Sequence, residues 1–298
     1  MNINTTPICL LFIALFLSSP LYAQDRGHKI GEDGGTGQYS ANMETDPSFA
    51  THTIFRPKDL TAFGTDVKLP IIAWGNGACS NSPWEHVNFL SEVASHGFLV
   101  VAIGPLPGEG DKRAEKSLSS QLIDAIDWAI AQKENKDSPY YGRLDSSKIS
   151  VSGMSCGGLQ ALEAAPDPRV TTAVIYNSGI LPNLRSGMPG MPNLSKDHLE
   201  KLHSPTLYIL GGESDIAYNN GMDDFKRISH VPVFMANMDV GHGGTYTQPR
   251  GGEFAKVATA WYLWKLKGDG EAGKWFEGNP PGLSRSAEWT VESKMEGF

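Results

Sequence analysis

Several apolar segments of this 298-residue chain lack the alternating polar residues of a strand that faces water on one side. Residues 98–103 read FLVVAI, and residues 206–210 read TLYIL. Runs of this kind are typical of strands buried on both faces, as in a parallel sheet. Segments with helical spacing separate the runs, and parallel neighbours need such crossover connections. The pattern predicts one α/β domain, with a mostly parallel central sheet and helices on both of its faces.

The other segments complete this alternation. Strands are expected at residues 53–55, 69–74, 98–103, 148–151, 172–176, 206–210 and 233–236. Because Pro57 follows the first of them closely, that strand is expected at a sheet edge. Apolar residues at helical spacing predict three helices. They are Val87, Leu90 and Ala94 before Gly97, then Leu118, Leu122, Ala125, Ile126, Ala129 and Ile130, and finally Phe254, Val257, Ala258 and Trp261.

The two ends of the chain differ from this core. Residues 8–17 form an unbroken apolar run of ten, and a proline and the small residue Ala23 follow it. This is typical of a cleaved export signal at residues 1–23, since a membrane span needs about twenty apolar residues. We therefore expect a secreted or periplasmic protein without stable membrane insertion after cleavage. The remaining predicted divisions are an extended segment at 24–50, the α/β domain at 51–268 with an insertion at 181–204, and a tail at 269–298 packed on the surface of the domain.

The charge of the chain argues against one class of partner. There are 25 basic and 33 acidic residues, which give a net charge of −8. A nucleic-acid-binding protein needs a basic face to displace counterions from phosphates, so no nucleic-acid partner is expected. No cluster of His, Cys and Asp has the spacing of a zinc site. We therefore predict neither a metal nor another cofactor.

Residues 153–157 read Gly-Met-Ser-Cys-Gly and match G-x-S-x-G. The motif directly follows the strand expected at 148–151 and leads into a segment that can start a helix. A turn this tight forces its serine into a strained backbone conformation and exposes the hydroxyl. We therefore predict Ser155 as a nucleophile. The alternative is a glycine-rich turn with a capping serine.

A serine hydroxyl needs a base that takes its proton and a third group that orients the base. Asp215 lies just beyond one predicted strand, and His242 lies among glycines beyond the next. The order Ser155, Asp215, His242 therefore predicts a catalytic triad, with Glu213 and Asp239 as alternative acids. Surface or capping roles are expected for six other histidines: His52, His86, His96, His198, His203 and His230.

These motifs resemble the α/β-hydrolase fold. Within it the chain is similar to the secreted branch of dienelactone hydrolases, platelet-activating-factor acetylhydrolases and cutinase-like polyester hydrolases. The resemblance implies an ester hydrolase that works through an acyl-enzyme intermediate. The chain departs from this branch at Trp74, where His or Pro is frequent, and at Cys156, where Met or Gln is frequent. Four segments between about residues 55 and 267 carry the resemblance: Trp74-Gly75-Asn76-Gly77, Gly153-Met154-Ser155-Cys156-Gly157-Gly158, Gly212-Glu213-Ser214-Asp215-Ile216-Ala217 and Gly241-His242-Gly243.

The resemblance also implies an oxyanion hole made of two backbone N–H groups. In that branch they belong to the residue after the first glycine of the early loop and to the residue after the nucleophile, which are Asn76 and Cys156 here. If both face one oxyanion, the loop that carries Cys79 passes close to Cys156. Our hypothesis is a disulfide between Cys79 and Cys156, with two buried free thiols as the alternative.

The sequence constrains the substrate less. The predicted residues of an apolar substrate pocket are Trp74, Met154 and Tyr218, with Trp84, Met188 and Met191 as further candidates. A small-molecule or polymeric ester is the expected substrate. Two alternatives stay open: an amidase or peptidase with the same triad, and a non-catalytic binding protein on the same fold.

Overall fold

The computed structural model describes Met1 and residues 34–105, 115–183 and 189–295. The predicted export signal beyond Met1 lies outside these ranges, as do Met188 and parts of the predicted extended segment and insertion. Within the described ranges, no helix combines the length and the apolar character that a membrane span requires.

Nine strands of the described residues form one sheet, in the spatial order β1-β2-β4-β3-β5-β6-β7-β8-β9. Neighbours from β4 to β8 in this order pair in parallel. The outer pairs are antiparallel, so the predicted mostly parallel sheet is confirmed. The strands are β1 (Ala41–Glu44), β2 (His52–Pro57), β3 (Leu69–Gly75), β4 (Leu99–Ile103), β5 (Leu144–Met154), β6 (Thr172–Tyr176), β7 (Thr206–Leu210), β8 (Val233–Asn237) and β9 (Thr290–Lys294).

Both edges of the sheet differ from the prediction. The strand that was expected at an edge, β2, lies inside the sheet. The strand β1, from the predicted extended segment, pairs with it, and Ala41 lies opposite Pro57. Pro57 is the last residue of β2, where its missing N–H leaves the rest of the ladder intact. At the other edge β9 pairs with β8, so the predicted surface tail contributes a strand to the sheet.

Helices cover both faces of the sheet, as predicted. The packing separates two apolar cores: α2, α3 and α4 cover the first face, and α1 and α5 cover the second. The helix α4 was not predicted, and Leu118 lies before α2 with 58% of its surface exposed, so it does not belong to that helix. The helices are α1 (Val87–Ser95), α2 (Ser120–Glu134), α3 (Cys156–Ala164), α4 (Tyr218–Arg227), α5 (Gly252–Lys267) and α6 (Gly270–Gly273).

Candidate active site

Ser155 occupies a tight turn between β5 and α3, with φ 55° and ψ −116°. Positive φ is costly for a residue with a side chain, by about 1–3 kcal/mol, so the surroundings must impose it. Glycines allow the close approach that does so. A Cβ on Gly157 would lie 2.1 Å from the carbonyl oxygen of Gly75, and one on Gly153 would lie 2.3 Å from the carbonyl oxygen of Gly157. The G-x-S-x-G spacing therefore lets α3 pack against β3 and β5.

Three side chains meet at the carboxyl edge of the parallel strands. The Oγ of Ser155 lies 2.9 Å from Nε2 of His242, and Nδ1 of His242 lies 2.6 Å from Oδ1 of Asp215. The loops after β5, β7 and β8 deliver them. Both alternative acids, Glu213 and Asp239, are exposed, and Asp239 accepts a hydrogen bond from Ser214 at 3.3 Å. The structure thus brings the three predicted triad residues into one hydrogen-bonded chain.

The Asp215 carboxylate is buried and surrounded by donors. Its Oδ1 accepts from Ala217 N–H at 2.9 Å, and its Oδ2 accepts from Gly211 N–H at 3.1 Å and from Asn177 Nδ2 at 2.8 Å. Burial alone would raise the pKa of Asp215. The hydrogen bonds from His242, Ala217, Asn177 and Gly211 outweigh burial and hold that pKa below its usual value. The carboxylate therefore stays ionised beside the imidazole.

The loop after β3 lies against the first turn of α3. A Cβ on Gly157 would lie 2.6 Å from the backbone nitrogen of Asn76. The Asn76 side chain is buried and braces its own loop, because Nδ2 donates to Ile103 O at 2.7 Å and to Ser80 O at 3.0 Å. Cys156 is the first residue of α3, where backbone N–H groups have no partner inside the helix.

A disulfide joins Cys79 to Cys156, with 5.1 Å between their Cα atoms. The hypothesis of a bridge therefore agrees with the structure, which does not have the two free thiols of the alternative. The bridge connects the loop that carries Asn76 to the helix that follows the nucleophile. Two consecutive residues of this loop, Ala78 and Cys79, have φ of 54° and 49°, so the loop is held in a conformation that residues with side chains disfavour.

The Ser155 hydroxyl opens into a cleft of about 630 Å³. Of the predicted substrate contacts, Met154 lines this cleft. Trp74 does not: it is fully buried, and its indole N–H donates to Asn76 Oδ1 at 3.1 Å. Tyr218 packs on the core of the opposite sheet face and does not line the cleft either, and the same holds for Met191.

Sequence reasoning missed most of the cleft wall. His86, expected in a surface or capping role, is buried and lines the cleft, and Ile216, beside Asp215, is 79% exposed at its mouth. In the 76–80 segment, sequence reasoning had singled out Asn76 for the oxyanion hole and Cys79 for the disulfide, but not the part of the cleft wall that the segment forms. The other lining residues that sequence reasoning had not assigned to a pocket are Gly77, Ala78, Ser80, Ser82, Glu85, Lys116, Gly243, Tyr246 and Thr247.

Among the described residues, no group of three or more His, Cys, Asp or Glu side chains is arranged to hold a metal ion.

Comparison with known protein families assigns the chain to one of them. A family model described as PET hydrolase-like matches residues 36–223, which is more than half of the chain. The chain belongs to the PET hydrolase-like family. The matched range contains Ser155 and Asp215 and ends before His242. Membership confirms the expected resemblance to cutinase-like members of the α/β-hydrolase fold.

Curated relatives are similar over about two thirds of the chain. Cutinase est2 of Thermobifida alba is 26% identical over 196 residues, which is 65% of this chain and 51% of the relative. Cutinase 2 of Thermobifida cellulosilytica is 26% identical over 196 residues, 65% of this chain and 58% of the relative. A Mycobacterium tuberculosis protein named as a phosphoribosyl transferase is 27% identical over 212 residues, 68% of this chain and 43% of the relative. The chain thus spans about half the length of these relatives, whose names describe longer proteins.

Proposed function

We propose that the protein is an exported serine hydrolase that cleaves carboxylic esters through an acyl-enzyme intermediate. The observation that carries this proposal is the unbroken hydrogen-bond chain from Ser155 through His242 to Asp215, with the serine at the floor of a cleft. Membership in the PET hydrolase-like family and similarity to proteins named cutinases support it.

Acylation follows from the positions of these groups. The Oγ of Ser155 attacks the carbonyl carbon of the ester while Nε2 of His242 accepts the hydroxyl proton. The carbonyl electron pair moves to oxygen, and this oxyanion accepts hydrogen bonds from the N–H groups of Asn76 and Cys156. One such donor typically contributes about 2.7–4 kcal/mol to transition-state stabilisation. The intermediate then breaks its bond to the alcohol oxygen, which takes the proton from His242.

Deacylation repeats the sequence with water. His242 removes a proton from the water as its oxygen attacks the acyl carbon, and the same two amides hold the second oxyanion. Collapse releases the acid and returns the proton to Ser155. Throughout, the buried Asp215 carboxylate keeps the proton of the imidazole on Nδ1, so Nε2 is free to accept from the serine.

The cleft supports a small or polymeric ester as substrate. Its wall contains apolar groups from Ala78, Met154, Ile216 and Tyr246, and its volume of about 630 Å³ lies in the range of sites for drug-sized ligands. The exposed Ile216 at the mouth suits a chain that continues beyond the cleft.

Export is proposed from two features. The apolar run within residues 1–23 has the form of a cleaved signal, and the disulfide between Cys79 and Cys156 belongs to an oxidising compartment. Together they favour a secreted or periplasmic location.

The nucleophile can be tested directly. A fluorophosphonate probe is expected to label the purified protein at Ser155, as read by peptide mapping, and to leave Ser155→Ala unlabelled. Unlabelled wild type should hydrolyse p-nitrophenyl, feruloyl or polyester substrates, and the label should abolish that activity because it occupies Ser155 Oγ. Folded wild type that takes no label would instead favour a binding protein. Cleavage of matched anilides as fast as esters would favour an amidase.

The disulfide gives a second prediction. The double variant Cys79→Ser/Cys156→Ser keeps both backbone amides but frees the loop that holds Asn76, so kcat should fall by roughly 10- to 100-fold with little change in KM. The bridge closes a loop of 77 residues, so its loss should also cost about 4 kcal/mol of unfolding free energy. Kinetics measured well below the melting temperature of the variant separate the two effects. An unchanged kcat there would contradict the role in positioning the amide.

A further inference from the structure

Asn177 connects the two loops that carry the acid and the base. It follows β6 directly, and its side chain is fully buried. Its Nδ2 donates to Asp215 Oδ2 at 2.8 Å and to the carbonyl oxygen of Gly241, the residue before His242, at 3.3 Å. One amide group thus contacts the acid and the backbone beside the base.

The orientation of this amide is fixed by a second buried residue. The hydroxyl of Tyr246, four positions after His242, donates to Asn177 Oδ1 at 2.5 Å. Burial raises the pKa of Tyr246 well above its usual value, and the nearby Asp215 charge adds to the effect, so the phenol remains a donor. The Asp215 carboxylate and the Gly241 carbonyl can only accept, so the NH₂ group faces them, and the hydrogen bond from the tyrosine O–H to Oδ1 holds the amide in this orientation.

The backbone at Asn177 indicates that this position is specialised. Its φ is 41°, in the left-handed region that asparagine tolerates better than most residues. The fit is also tight, since a Cβ on Gly211 would lie 2.9 Å from Asn177 Nδ2. Residues held in such conformations cluster at functional sites because the surrounding structure must enforce them.

We propose that Asn177, held by Tyr246, is a positioning residue that sets the Asp215 carboxylate against His242 and ties the acid loop to the histidine loop. The inference rests on the proposed ester hydrolysis and adds to it a part of the site that lies behind the triad. In the absence of the Asn177 donor, the carboxylate can rotate away from Nδ1. It also presents more negative charge to the imidazole.

The test uses three variants and the wild type. Asn177→Ala removes the donor, and Tyr246→Phe removes only the hydroxyl while the ring keeps its contacts with Trp74, Phe89 and Phe254. Tyr208→Phe is the matched control. The Tyr208 hydroxyl is also buried and also donates to a carboxylate, Asp224 Oδ2 at 3.3 Å, but that carboxylate lies away from the triad.

We expect Asn177→Ala to lower kcat by roughly 100-fold and Tyr246→Phe to lower it about five-fold, with KM within about two-fold of wild type. The acid limb of the kcat/KM profile should leave its wild-type position in both, because the orientation and the charge of the Asp215 carboxylate both act on the imidazole. Tyr208→Phe should lower the melting temperature and leave kcat and the profile unchanged. None of the three variants alters the other titratable groups around the site: Glu85, His86, Lys116, Tyr176 and Asp239.

The proton NMR signal of the His242 Nδ1–H, identified by its loss in His242→Ala, reports the same bond without substrate. It should shift in Asn177→Ala and Tyr246→Phe and stay in place in Tyr208→Phe. If kcat falls while the pH profile and this signal remain at their wild-type positions, the positioning role is wrong. If Asn177→Ala does not fold, the isosteric Tyr246→Phe decides the question. Wild type without Ser155-dependent hydrolysis would instead reject the proposed function, and the NMR signal would still test the link between Asn177 and the Asp215–His242 pair.

Discussion

Replacement of His242 by alanine is expected to lower kcat for ester hydrolysis by roughly 10⁶-fold, as for the loss of a nucleophile or base from a serine-hydrolase triad. The imidazole lies 2.9 Å from Ser155 Oγ and connects that hydroxyl to the Asp215 carboxylate. Without it the serine must lose its proton to water during attack. Because the side chain is 27% exposed and sits on a loop, the protein should remain folded.

The measurement is single-turnover hydrolysis of a p-nitrophenyl ester, with circular dichroism as the check on folding. His203→Ala is the matched control, because that histidine is exposed and its Nε2 lies 3.1 Å from the carbonyl oxygen of Asp167. The control should stay within about two-fold of wild type, as surface substitutions away from the site usually do. A His242→Ala protein that keeps more than a hundredth of the wild-type rate would show that another group serves as base.

The centre of the fold could be predicted from the sequence because its strands are buried on both faces. β4 and β7 are continuous apolar runs, and β6 and β7 have the predicted bounds. The edge strands β1 and β9 could not be predicted. Each has a water-facing side and only four or five residues, so its hydrophobic pattern is weak and its pairing depends on the neighbouring strand. The helix α4 begins with Tyr-Asn-Asn-Gly and is mostly polar, so its apolar face is limited to Tyr218, Met222 and Phe225 and gives a weak signal in the sequence.

The triad was accessible to sequence reasoning because each of its members follows a strand in a loop with recognisable glycines. Asn177 could not be predicted, because the sequence Tyr-Asn-Ser at the end of β6 has no feature that distinguishes it from other strand ends. Its role depends on a positive φ and on partners 38 and 69 positions away in the chain, Asp215 and Tyr246. The same limit explains why Trp74 was wrongly predicted as a substrate contact. An aromatic residue beside a functional loop is expected at the substrate, but the strand direction places this one in the core, where its ring contacts Phe89.

Substitution of Asp215 by asparagine is expected to lower kcat by roughly 10⁴-fold, with KM little changed. The carboxylate oxygens accept from three donors besides His242: the N–H groups of Gly211 and Ala217 and the NH₂ group of Asn177. An asparagine has one acceptor oxygen, and the two donors at Oδ2 hold that oxygen. Its NH₂ group must then face Nδ1 of His242 and donate to it.

This reversal changes the tautomer of the base. An Nδ1 that accepts a hydrogen bond places the imidazole proton on Nε2, which can then no longer accept the proton of Ser155. The shape of the site is retained, so the fall in kcat results from the changed tautomer of His242 and from the missing negative charge. Asp239→Asn is the control, since it removes the same charge three positions before His242 from an exposed carboxylate that accepts from Ser214. Steady-state kinetics should find the control near wild type. A large loss in Asp239→Asn together with an active Asp215→Asn would instead make Asp239 the acid that orients the base.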